Sequence, residues 1–182
     1  MREISRTQKI VTVALLIAMD VVLTRVFSIN TPILRIGFGF LPVAVCAMMF
    51  GPIWAAAAAA LADIIGITLF APMAAPFPGF TLSAALVGVV FGLFLYKSRG
   101  HWFRILCAAA INCFGIGLLL NTFWLTIITD NPFFALLPTR LVQSSVMIVI
   151  QFVTLNLIEK TMGARIRSHA AGSAGRSNVH QA

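Results

Sequence analysis

Long apolar runs constrain this chain more than any other feature. Six of them lie at roughly Lys9–Phe27, Ile36–Phe50, Pro52–Phe70, Gly79–Tyr96, Arg104–Ile128 and Leu136–Ile158. All but the second approach or exceed the ~20 residues that carry a helix across a bilayer. Lipid cannot hydrogen-bond a backbone, so such runs must fold as helices there. Of the 182 residues, 60% are hydrophobic and 10% charged. A soluble domain has about 45–50% and about 25%, which rules that class out, and the apolar content rules out a disordered coil. The expected fold is an all-α integral membrane protein, a six-transmembrane-helix bundle over residues 1–166, with a polar, disordered cytoplasmic tail over 167–182. The second run is short and carries Gly37, Gly39 and Pro42, which predicts a short or bent helix. Interrupted segments line substrate sites in transporters, although simple helix irregularity fits equally.

Charge fixes the orientation. Arg2, Arg6 and Lys9 precede the first run as in a secretory signal, yet no small-residue cleavage site follows and the run continues past Asp20. It reads as a retained helix. With both termini in the cytoplasm, ten of the thirteen Lys and Arg residues fall inside, as the positive-inside rule requires. The net charge of +8 is therefore topology, and no nucleic acid is expected as a partner. The lipid bilayer is. Cys46, Cys107 and Cys113 lie in apolar stretches and read as small hydrophobes with free thiols.

Three arginines break the charge rule on the outer side: Arg25, Arg35 and Arg140. Guanidinium groups bind carboxylates bidentately, so they suit an anionic extracellular ligand. Snorkelling to lipid headgroups is the alternative. Asp20 and Asp63 are intramembrane acids and so candidates for function. Each lies eleven residues into its helix, about 17 Å from the inner surface. Asn121 stands about 26 Å up by the same rise, near Trp124. These polar groups point to one outward-facing cavity, or else Asp20 and Asp63 pair with Arg25 and Arg140 to hold the bundle. Outer loops rich in proline and aromatics (Phe70 to Pro72, Pro76 to Thr81, Asn131 to Phe134), with Phe38, Phe40 and Trp124, form either a lid over a flat ligand or an interfacial belt.

A small-residue face completes the pattern. Ala55 to Ala60 and Ala62 stand on the third helix, and Ala14 and Ala18 on the first. Small side chains let helices approach closely in lipid, within the chain or across an interface. Asp20 points about 140° away from the Ala14/Ala18 stripe. The histidines, His101, His169 and His180, fall outside the spans. No serine elbow, metal-binding His pair or phosphate-cradling loop occurs, so neither an enzyme nor a metal or other cofactor is expected.

The stretches Arg35-Ile36-Gly37-Phe38-Gly39-Phe40-Leu41-Pro42, Phe50-Gly51-Pro52, Ala62-Asp63-Ile64-Ile65-Gly66 and Phe77-Pro78-Gly79-Phe80-Thr81-Leu82-Ser83 resemble the S components of energy-coupling factor (ECF) vitamin transporters, in their folate-specific type. Asn121-Thr122-Phe123-Trp124 and Leu137-Pro138-Thr139-Arg140-Leu141 with Gln143 extend the likeness over about residues 5–160. The resemblance implies a six-helix substrate-binding subunit that topples in the membrane, docked to a transmembrane T component and energised by two cytoplasmic ATPases. It implies that Ala14, Ala18, Ala55, Ala58, Ala59 and Ala62 form the partner interface. Folate or a related pterin would then be the transported ligand. Its dianionic tail suits Arg35 or Arg140, its amidine-like edge Asp63 or Asn121, and its rings Phe38, Phe80 or Trp124. Alternatives are an S component for another vitamin or heterocycle, a non-transport membrane assembly protein, or a membrane enzyme acting on lipid.

Overall fold

The computed structural model describes residues 6–30, 35–69, 77–96, 102–129 and 133–177, with side chains at all of these except 29, 30, 35, 36, 129, 133–136 and 162–177. Helix α1 spans Arg6–Arg25. A two-residue antiparallel ladder follows, β1 (Ile29–Asn30) against β2 (Arg35–Ile36). Then come α2 (Phe40–Phe50), α3 (Pro52–Leu69) and α4 (Pro78–Leu95). The fifth span is one rod in three parts: α5 (Trp102–Ala110), a π-helical segment (Ile111–Leu120) and α6 (Asn121–Thr129). Helix α7 runs from Phe133 to Ser177. Among the described residues, five of these spans are long and apolar enough to cross a membrane.

Helix α2 is the sixth apolar segment and is short rather than broken. Gly37 and Gly39 precede it, and Pro42 falls in its first turn, where no backbone N–H is needed. Its eleven residues rise about 17 Å, half a bilayer core. Six of the eleven are buried, and the helix packs against α1, α3, α4 and α7. It ends at Gly51, whose φ of 91° is open to glycine at no steric cost. The Gly51 N–H donates to the Ala47 carbonyl at 3.0 Å, and Pro52 starts the next helix with its preset φ.

The tightest pair in the bundle is α3 with α4. A Cβ on Gly88 would stand 2.5 Å from the Ala55 carbonyl oxygen, and one on Gly92 would run into the Pro52 backbone. The glycines of α4 thus let its backbone touch α3, which is the small-residue mode of packing. Ala55, Ala58, Ala59 and Ala62, which the resemblance assigns to the partner interface, are buried within the chain itself. Ala14 and Ala18 do lie exposed on α1, and Asp20 is buried on another face.

Helix α7 continues past the expected end of its span near Ile158 and runs through Ser177. Ala164, Arg165, Arg167, Ala170, Ala171 and Ala174 are strong helix formers in that stretch. Outward, α7 shows Val142, Val146, Val149, Val153 and Leu157 at three- and four-residue spacing, a stripe that suits lipid. The proline-rich loop segments 70–76 and 130–132 lie outside the described residues.

Candidate functional site

One end of the bundle holds a cavity of about 610 Å³. Chain direction explains its place. It is lined by the last turns of α1, the start of α2, the second half of α3, the first half of α4, the π segment with α6, and α7 from Arg140 onward. Most contributions come from the helix ends remote from Arg6, while Asn112, Cys113 and Gln151 come from further along their spans.

At its mouth the acids and arginines are already engaged with neighbours. Asp63 accepts from Thr81 Oγ1 at 2.8 Å through one oxygen, and its other oxygen lies 3.9 Å from an Arg25 nitrogen. Asp20 accepts from Thr24 Oγ1 at 2.8 Å. Arg140 differs. It is half-buried, and its guanidinium donates to the neutral Gln143 amide oxygen at 3.4 Å. No carboxylate among the described residues lies within 4.0 Å of it. A half-buried cation with no counter-ion among the described residues suits an incoming anion.

Of the seven residues matched to the ligand from the sequence, four line this cavity together: Asp63, Phe80, Asn121 and Arg140. Two others, Trp124 and Phe38, do not. Trp124 is not among the lining residues. Its indole N–H donates to Ser83 Oγ at 3.2 Å, Ser83 donates to the Gly79 carbonyl at 3.1 Å, and the ring stacks near Phe77 at 5.5 Å. It therefore pins α6 to α4 behind the wall. Phe38 is also outside the lining, 38% exposed beside Phe40. Arg35 pairs through its backbone with Asn30, and its side chain lies outside those described.

Polar lining residues missed in the sequence are Thr24, Asn112, Ser144 and Gln151. For two of them a signal existed. Arg140, Ser144, Met147 and Gln151 recur at spacings of four, three and four, which is one face of a helix. Among the described residues no three His, Cys, Asp or Glu side chains converge to hold a metal.

The model of the family described as "ECF transporter, substrate-specific component" matches residues 8–159. The chain is 43% identical to the folate transporter FolT of Clostridium novyi over 142 residues, 78% of this chain and 82% of that one. It is 30% identical to the folate transporter FolT of Leuconostoc mesenteroides, over 80% of each. A crystal structure of FolT bound with folic acid superposes with a TM-score of 0.80 at 35% identity, covering 85% of this chain and 94% of that one. The residues and the helical architecture agree, and the chain belongs to the substrate-specific S components of ECF transporters.

Proposed function

We propose that this chain captures folate or a related pterin in its cavity at the outer face of a bacterial plasma membrane. It then delivers the vitamin with a transmembrane T component and two cytoplasmic ATPases, which supply the energy. The carrying observation is the half-buried Arg140 at the cavity mouth, with no described carboxylate to neutralise it. The relatives named for folate transport support the choice of ligand. Both termini are cytoplasmic in this reading, since that places ten of thirteen basic residues inside.

Arg140 takes the glutamate carboxylates. Phe80 offers a ring for stacking. Asn121 has a buried side-chain oxygen with no partner and takes a donor of the heterocycle. Asp63 has both oxygens close to Arg25 and Thr81. Its role is to hold that corner of the wall in shape.

The test is folate binding to the purified chain in detergent, followed by tryptophan fluorescence, with riboflavin and thiamine as controls. Saturable one-to-one binding of folate alone is expected. A response only to another vitamin replaces the substrate and keeps the transporter role. Silence toward all three in folded protein overturns the reading and favours an assembly protein.

A further inference from the structure

Two amides in the cavity wall are buried with polar atoms left unpaired. Asn112 is 4% exposed and Gln151 7%, and both line the cavity. Neither side-chain polar atom of Asn112 has a hydrogen-bond partner, nor does Gln151 Oε1. Leaving such groups buried and unpaired is costly unless something else satisfies them. Gln151 lies eleven residues beyond Arg140 on α7, about 16 Å deeper into the bundle. Ser144 Oγ, on the same face of α7, donates to the Cys113 carbonyl at 3.1 Å. That bond fixes α7 against the π segment one residue from Asn112.

The π segment explains how Asn112 comes to face the cavity. It lies nine residues before Asn121, and an unbroken α-helix turning 100° per residue would set the two about 180° apart. Here the backbone bonds span five residues, as from the Asn121 N–H to the Ile116 carbonyl. The wider turn advances less per residue, so Asn112, Gly117 and Asn121 all line one cavity. Such departures from the α-helix concentrate at functional sites.

We propose that Asn112 and Gln151 form a neutral amide floor that reads the uncharged polar edge of the ligand's heterocycle. This rests on the folate reading above. A pterin presents a lactam and an amino group, with donors and acceptors side by side and no charge. A primary amide answers with a donor and an acceptor from one planar group. It does so without the cost of burying an ion. The cavity is then graded, cationic at its mouth and neutral-polar at its floor, which orients a ligand that is anionic at one end and uncharged at the other.

The test uses Asn112→Leu and Gln151→Met in the full chain, with two readouts: ligand-free melting temperature in detergent and folate affinity. Both replacements approximate the original volume and remove an unpaired polar group. The expected result is a melting temperature equal to or above that of the parent, with folate affinity at least ten-fold lower in each variant. Affinity within two-fold of the parent overturns the proposal. A lower ligand-free melting temperature also overturns it, because the amides would then serve the fold. If the parent itself fails to bind folate, the substrate reading falls and this proposal with it, whereas variants that match a binding parent overturn the amide floor alone.

Discussion

Arg140 and Asp63 both line the cavity, yet their neighbours give them different tasks. Asp63 has Thr81 and Arg25 close by, whereas Arg140 has the uncharged Gln143. Removing Arg140 therefore takes away a contact that the ligand supplies rather than one the fold needs. Arg140→Ala is expected to weaken folate binding by about 10- to 100-fold, the range of one charge-assisted hydrogen-bonded contact. Arg140→Lys recovers part of this, because an ammonium lacks the bidentate fork. Titration with 6-hydroxymethylpterin, which has no carboxylate, separates the causes: parent and variant should bind it equally, and a shared loss would mean that Arg140 shapes the pocket instead. Ser83 gives the opposite case. It links the Trp124 indole to the Gly79 carbonyl outside the cavity lining. Ser83→Ala should lower thermal stability by about 1 kcal/mol and shift Trp124 emission, with folate affinity changed less than three-fold.

At the level of whole helices, the pairing of α3 with α4 depends on Gly88 and Gly92 meeting Ala55 and Pro52. Gly92→Val places a branched side chain against backbone that cannot move aside. Overpacking of this kind costs about 1–3 kcal/mol or more, so the variant should melt lower or fail to accumulate in the membrane. Gly115→Val is the control, since a Cβ there meets its nearest neighbour at 3.8 Å and should leave yield and melting unchanged. The spans were legible because lipid forces apolar runs into helices. Which face of the alanine run points inward was not, since Ala55 to Ala60 is apolar all round and its direction is set by the glycines on another helix. The π segment was equally hidden: Ile111 to Leu120 is apolar except at Asn112, and hydrophobicity does not distinguish five-residue from four-residue backbone bonds. The length of α7 was hidden too, because the apolar run ends near Ile158 while the helix continues.

For the molecule as a whole, charge asymmetry and the alternation of helix direction locate the cavity at one end. That much follows from the sequence, because polar residues on antiparallel neighbours share a depth only if they sit at complementary distances from their helix starts. The outer surface is where the sequence and the structure together make a further demand. On one face of α1 the exposed side chains include Val11, Leu15, Met19 and Val22 with Ala14 and Ala18 between them, a notch in an otherwise bulky face. Lipid does not need a notch, but a packed helix does. In the proposed role this is where the T component docks, now that Ala55, Ala58, Ala59 and Ala62 are taken up inside the chain. Doubly substituted Ala14→Leu and Ala18→Leu protein should bind folate in detergent with the parent's affinity, since that face turns away from Asp20 and the cavity. In cells supplying the T component and ATPases, folate uptake by the same variant should fall at least ten-fold. Unchanged uptake would move the docking surface to the exposed face of α3 around Ala57 and Leu61. A matching loss of affinity would mean instead that the notch is part of the bundle's own packing, sealed by a neighbour in the loaded state.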